Sequence, residues 1–163
     1  MAQEQAITEP EQQFRIQRVY VKDVSFESPR TPNIFLDQGG WKPEINLQIN
    51  SESRTFDGNL YETVLTLTVT VKSGEADDNT AYLVEVKQAG LFFADGFDEQ
   101  AKAGLLGSYC PNILFPFARE VVADLVVKGG FPQLLLEPIN FDALYAQHLE
   151  QNRQNAPATD TPQ

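Results

Sequence analysis

Apolar and polar residues alternate with a period of two through the middle of the chain, a pattern that predicts β-strands with one buried face. The alternating segments are residues 45–50, 61–71 and 82–86. Turn-forming residues separate them at 57–59, which reads Asp-Gly-Asn, and at 74–79. These segments therefore predict consecutive strands joined by short turns.

An earlier segment, from Phe14 to Phe26, is rich in Val, Ile, Phe and Tyr and also predicts a strand. Its alternation slips twice, so that apolar pairs fall on one face, then the other, then the first again: Phe14 and Ile16, Val19 and Val21, Val24 and Phe26. We therefore expect a long strand that carries bulges or is covered on both faces. With the three segments that follow, it predicts a four-stranded antiparallel meander.

The period changes after residue 97, where helical spacing begins. Residues 98–106 predict a short helix that ends before Pro111. A longer apolar stripe follows, with Asn112 as its N-cap and Gly129-Gly130 as its end; its members are Leu114, Phe117, Ala118, Val121, Val122 and Leu125. A last helix opens at Asn140. Strands followed by helices predict the α+β class.

The length of 163 residues suits one domain, which we expect to span residues 14–149. Residues 1–13 and 150–163 are polar and proline-containing, so both are expected to be flexible tails. The amino terminus has no basic segment followed by an apolar one, as an export signal requires, and no apolar run reaches the roughly 20 residues that span a bilayer. A cytoplasmic protein is expected.

The charge balance limits the kinds of binding partner that are expected. Twelve Lys and Arg against 23 Asp and Glu give a net charge of −11. Phosphate backbones and anionic membranes repel such a chain, so nucleic acid binding and membrane insertion are not expected. Basic segments of other proteins are better partners.

Few residues suggest catalysis. Cys110 and His148 are the only cysteine and histidine, and we interpret both as structural. Glu120 and Asp124 lie four apart on the predicted long helix, and a helix against an antiparallel sheet is also the plan of hotdog-fold enzymes. The alternative function is therefore an acyl-thioester enzyme of that type. Because no nucleophile, base or metal set converges, we expect no catalytic residues, no cofactor and no metal site.

Large apolar residues also occur in segments that lack regular spacing. Trp41 follows Ile34-Phe35-Leu36, and residues 131–136 read Phe-Pro-Gln-Leu-Leu-Leu. Such segments either cap a core or line a binding groove.

Several long motifs stand out along the chain: Ile16-Gln-Arg-Val-Tyr-Val-Lys-Asp-Val-Ser-Phe-Glu27, Trp41-Lys-Pro-Glu44, Cys110-Pro-Asn-Ile-Leu-Phe-Pro-Phe-Ala-Arg-Glu120, Phe131-Pro-Gln-Leu134 and Pro138-Ile-Asn-Phe-Asp-Ala-Leu-Tyr145. Together they closely resemble the SecB family of bacterial protein-export chaperones. The resemblance runs from about Phe14 to Leu149.

The resemblance implies a four-stranded antiparallel sheet with helices packed on one face, assembled as a homotetramer that is a dimer of dimers. It implies an ATP-independent holdase that keeps unfolded precursor chains competent for translocation. Its precursor groove would comprise Trp41, Ile45, Leu47, Ile49, Phe141, Leu144 and Tyr145. It would deliver its cargo to SecA, the export ATPase, whose basic zinc-carrying segment would bind Asp23, Glu27, Leu83 and Glu85. The zinc belongs to SecA.

Overall fold

The computed structural model describes residues 11–156. Its elements in chain order are β1 (Gln13–Glu27), α1 (Asn33–Leu36), β2 (Pro43–Thr55), β3 (Leu60–Ser73), β4 (Thr80–Asp95), α2 (Glu99–Gly104), a π-helical segment (Leu105–Tyr109), α3 (Cys110–Lys128) and α4 (Phe141–Asn155). The α+β class is confirmed. Residues 1–10 and 157–163, within the two expected tails, lie outside the described part of the chain, and α4 continues six residues past the expected domain boundary at 149.

All four strands form one antiparallel sheet in the order β1-β4-β3-β2. The predicted meander is correct for β2, β3 and β4 and wrong for β1, which pairs with β4 at the far edge. Residues 28–42 are too long for a tight hairpin and cross from one edge of the sheet to the other. This placement lets Phe26 pack where α3 ends, since Gly129 has no side chain to obstruct its ring.

Strand β1 carries two bulges, which explains both slips in its alternation. Register with β4 shifts between Ile16 and Arg18 and again between Val21 and Asp23, so Gln17 and Lys22 are extra residues. Each bulge returns the following apolar residues to the helix-facing side of the sheet. The apolar side chains therefore share the helix-facing side of the sheet: Phe14, Ile16, Val19, Val21, Val24 and Phe26. The bulged alternative is confirmed.

The core lies between the sheet centre and α3. Leu65, Leu67, Val69 and Val71 of β3 alternate with half-buried threonines and are fully buried. They form one cluster with the i, i+4 series Leu114, Ala118, Val122 and Val126 of α3. Full burial of each large side chain stabilises the fold by about 2 kcal/mol. Phe117, predicted to belong to this stripe, is 46% exposed because it projects from another side of the helix.

The helical segments α2 and α3 are continuous through the π-helical segment, so the predicted break before Pro111 and the N-cap at Asn112 are wrong. Pro111 stands at the start of α3 directly after the π-helical segment, so the continuous helix accommodates a residue that lacks a backbone N–H donor. The other predicted boundaries are confirmed. Asn140 caps α4 through a 3.0 Å hydrogen bond from the Ala143 amide, and Gly130, at φ +85°, follows the end of α3.

Candidate binding groove and docking face

An open cavity of about 600 Å³ lies between strand β2, helix α4 and the π-helical segment. Five of the seven predicted groove residues line it: Leu47, Ile49, Phe141, Leu144 and Tyr145. Ser53, farther along β2, also lines it, as do Leu106 and Gly107, which the sequence analysis missed because only the fold brings the π-helical segment to β2. The lining is mixed, because Asn50, Ser51, Gln147, His148 and Gln151 stand beside these apolar side chains.

Helix α4 is held over this cavity by its first turns. Phe141 is buried, with its ring 5.7 Å from that of Phe115. The Ser108 hydroxyl donates a hydrogen bond to the Asp142 carboxylate. Tyr145 lies directly on Gly107, where an added Cβ would stand 2.5 Å from its ring. From residue 146 onward the helix is exposed.

Trp41 lies elsewhere, in a second cavity of about 190 Å³ lined also by Ile34, Phe35 and Phe131. Its ring centroid is 5.7 Å from that of Phe131 and 6.5 Å from that of Tyr82. The predicted groove residues are therefore divided between two cavities. Ile45, which lines neither of them, is half exposed on β2 and pairs with Val71.

The sequence left open whether segments 34–41 and 131–136 cap the core or line a groove. In the structure they both cap the core and line the second cavity. Phe131 is buried and belongs to the core cluster, so it caps the core. Phe35 is 51% exposed, and its ring centroid lies 5.2 Å from that of Phe131 with the two rings tilted by 46°. The second cavity is thus an aromatic surface built on the end of the core.

The predicted SecA-binding residues lie together on the opposite face of the sheet. Leu83 and Glu85 alternate with buried Tyr82, Val84 and Val86, so they face away from the helices. Register places Glu27 opposite Leu83 and Asp23 opposite Lys87. The Thr68 hydroxyl donates a 3.2 Å hydrogen bond to Glu85. We call Asp23, Glu27, Leu83 and Glu85 the docking face.

One buried carboxylate lies farther along the same side of the sheet. Glu62 is 5% exposed and accepts hydrogen bonds from the Tyr20 hydroxyl, from Lys22 Nζ at 2.9 Å and from Arg54 Nε at 3.0 Å. Burial raises the pKa of Glu62, but the hydrogen bonds from Tyr20 and Lys22 and the charges of Lys22 and Arg54 outweigh it, leaving the pKa lowered. Burial and the same carboxylate raise the pKa of Tyr20 to about 12. The sequence analysis missed this cluster because Lys22 and Tyr20 are 40 and 42 residues away.

The candidate catalytic residues do not converge. Burial raises the pKa of the Cys110 thiol to about 12, so the nucleophilic thiolate is scarce at neutral pH. His148 is exposed, and its Nε2 atom lies 3.2 Å from Nδ2 of Asn152. Glu120 is exposed on α3, and Asp124 pairs with Lys128 at 2.7 Å. Within residues 11–156, no three acidic, His or Cys side chains are grouped to hold a metal, and no helix is long and apolar enough to span a bilayer.

Comparison with known proteins identifies close relatives. The family model described as "Preprotein translocase subunit SecB" matches residues 7–152. The protein-export protein SecB of Nitrosococcus oceani is 60% identical over 148 residues, covering 91% of this chain and 88% of that protein. That of Alcanivorax borkumensis is 54% identical over 151 residues, covering 92% and 94%.

A solved structure shares the fold. It is a Mycobacterium tuberculosis SecB-like chaperone in complex with a peptide from an antitoxin, and it matches with a TM-score of 0.62 at 17% identity. The match covers 77% of this chain and 90% of that chain.

Proposed function

We propose, from the premise that this chain belongs to the SecB family of protein-export chaperones, that its two cavities hold unfolded precursor chains without ATP and that its docking face passes them to SecA. The observation that carries the proposal is the open cavity between β2 and α4, whose apolar side chains come from both elements. We assign this function to the cytoplasm and to a domain of residues 14–149, flanked by the tails 1–13 and 150–163.

The groove suits many clients because apolar burial demands no particular sequence. Each Å² of apolar area removed from water contributes about 25 cal/mol. Leu47, Ile49, Leu144 and Tyr145 supply such area in the first cavity, and Trp41 and Phe35 supply it in the second. Two weak sites that bind one client chain raise its avidity without any new contact. Promiscuous binding follows from this arrangement.

The edge strand β2 adds a second kind of contact. Within residues 11–156 it pairs only with β3, so its other side presents backbone N–H and C=O groups. An extended client chain can pair with such an edge through main-chain hydrogen bonds, which are independent of side-chain identity. Ile45, exposed on this strand, is placed to contact the paired chain.

The docking face suits a basic partner. Asp23, Glu27 and Glu85 supply negative charge, and half-buried Leu83 supplies an apolar contact among them. Opposite charge raises the association rate and selects the partner, while an apolar centre contributes affinity. The zinc-carrying basic segment of SecA fits this chemistry.

Self-association would cover an apolar strip that the protomer leaves open. Ile16, Val21 and Val24 are 43–50% exposed although they lie on the helix-facing side of the sheet, because α3 packs against β3 and β4. Phe117 on α3 is also exposed. Large apolar patches of this kind mark interfaces. We assign these exposed apolar residues to the interfaces of a homotetramer, which is built as a dimer of dimers.

The proposed action involves no bond chemistry, so the protein is assigned as a non-enzyme. The test is light scattering from a denatured, slowly folding secretory precursor that is diluted into increasing amounts of this protein without ATP. We expect suppression of aggregation that saturates near one tetramer per precursor. No suppression at several-fold excess would contradict the proposal and favour the acyl-thioester alternative, which predicts turnover dependent on Glu120 or Asp124.

A further inference from the structure

The second bulge of β1 involves Asp23, a member of the docking face, and its neighbour Lys22. Val21 lies opposite Gln88 and Val24 lies opposite Val86, so two residues of β1, Lys22 and Asp23, share one partner, Lys87. One of the two must be the extra residue. In the structure it is Lys22, and Asp23 is the residue paired with Lys87.

The apolar pattern does not make this choice. Val24 and Phe26 face the core whichever residue is extra, because each alternative inserts one residue between Val21 and Val24. If Asp23 were extra, Lys22 would lie directly opposite Lys87 and Asp23 would leave the ladder. The hydrophobic effect therefore requires a bulge here without specifying its position.

The buried carboxylate does distinguish the two alternatives. Lys22 Nζ donates a 2.9 Å hydrogen bond to Glu62 Oε1, crossing β4 to reach β3. Tyr20, two residues earlier, donates to the other oxygen of the same carboxylate. Both bonds hold β1 on either side of Val21, immediately before the bulge. A Lys22 paired opposite Lys87 would instead face a like charge, which destabilises a sheet.

We propose that Lys22 and Glu62 are positioning residues that select Lys22 as the bulged residue and thereby place Asp23 on the docking face. In some proteins an ion pair to a buried carboxylate specifies one conformation while adding little net stability, which is the role proposed here. The inference rests on the docking face assigned above, because it concerns the placement of one of its members.

Arg54 provides a matched control. Its Nε donates a 3.0 Å hydrogen bond to the same Glu62 oxygen, but it belongs to β2 and does not touch the bulge. Lys22→Ala and Arg54→Ala therefore each remove one cation and one hydrogen bond from the same acceptor. A purely stabilising role predicts similar effects from both, and a positioning role predicts an effect on docking from Lys22→Ala alone.

The first readout is the affinity of the full-length protein for purified SecA, measured by calorimetry at fixed salt. We expect Lys22→Ala to weaken binding about tenfold, the loss of one charged contact, and Arg54→Ala to change it less than about twofold. Lys22→Arg, which restores a cation, should bind SecA like the original chain. Equal losses for Lys22→Ala and Arg54→Ala would overturn the inference.

The second readout is the pairing itself. Backbone NMR of the deuterated protein should show a cross-strand contact between residues 23 and 87 in the original chain and in Arg54→Ala. In Lys22→Ala a contact between residues 22 and 87 should replace it. Retention of the 23–87 contact in Lys22→Ala would overturn the inference, whatever the affinity of that variant for SecA.

A third variant separates this inference from the docking face itself. Glu85→Lys changes the docking face on β4 and leaves β1 intact. If Glu85→Lys leaves SecA binding unchanged, the docking face is wrong and the NMR contact alone decides the inference. If Glu85→Lys weakens SecA binding and Lys22→Ala does not, only the positioning inference fails.

Discussion

The two faces of the sheet present different kinds of surface. On the helix side, two cavities offer apolar area bounded by residues from α4, β2 and the crossover segment. On the other side, charged residues stand at fixed cross-strand positions on β1 and β4. Area burial tolerates many partners, whereas placed charges distinguish one partner from another. Substitutions on the two faces should therefore separate client binding from SecA binding.

Removal of the α4 anchor should have the largest effect. Phe141→Ala deletes a buried ring that packs at a tilt against Phe115 and should destabilise the protein by about 3–5 kcal/mol. Client binding should fall because α4 forms one wall of the larger cavity, and SecA binding should change little at temperatures where the sheet stays folded. Denaturant unfolding and precursor aggregation measure the two effects. Equal loss of client and SecA binding in the folded variant would contradict the separation of the faces.

Charge reversal on the docking face should have the second-largest effect. Glu85→Lys should weaken SecA binding at least about tenfold, because a repulsive contact replaces an attractive one, and leave precursor suppression unchanged. Glu120→Lys, an identical charge change on the exposed side of α3, is the matched control. A similar loss of SecA affinity in both variants would indicate that net charge, rather than position, governs docking.

Two glycines of the continuous helix test whether the position of α4 controls client binding. Gly107→Ala places a methyl group 2.5 Å from the Tyr145 ring and should push α4 away from its support, whereas Gly104→Ala meets nothing within 4 Å. Gly104→Ala should stabilise the helix by up to about 1 kcal/mol. Gly107→Ala should weaken client binding about fivefold, as expected for a contact worth about 1 kcal/mol. Denaturant unfolding measures the first effect and fluorescence titration with an unfolded precursor measures the second; unchanged binding in Gly107→Ala would show that α4 position does not control the cavity.

The smallest expected effect is a dependence on pH. The Glu62 pKa is lowered from its ordinary value of 4.5, because hydrogen bonds from Tyr20 and Lys22 and the charges of Lys22 and Arg54 outweigh burial. A carboxyl with a lowered folded pKa contributes stability above its unfolded pKa and loses it as the pH falls through the folded pKa. The Tm of the original chain should therefore fall more steeply below pH 4.5 than that of Glu62→Gln. Parallel profiles would show that Glu62 does not contribute in this way.

Local pattern predicted the elements well, because period, turn residues and caps act over a few residues. The slips in Phe14–Phe26 predicted bulges or cover on both faces, and the alternation of residues 82–86 predicted a strand with one buried face. The position of β1 beside β4 was not predictable in this way, since strand order depends on contacts between segments far apart in sequence. Continuity through Pro111 was missed because a proline in the first helical turn has the same sequence signal as a helix end.

The sequence by itself determined the class, the strand and helix content, the charge and the family, because each of these follows from composition, local periodicity or long motifs. Only the tertiary structure decided that Trp41 lies in a separate cavity from Leu144 and Tyr145. It alone joined Lys22, Arg54 and Glu62 on three strands. The physical reason is that side chains distant in sequence meet only when the register and order of the strands are set, and hydrogen bonds form only at that distance.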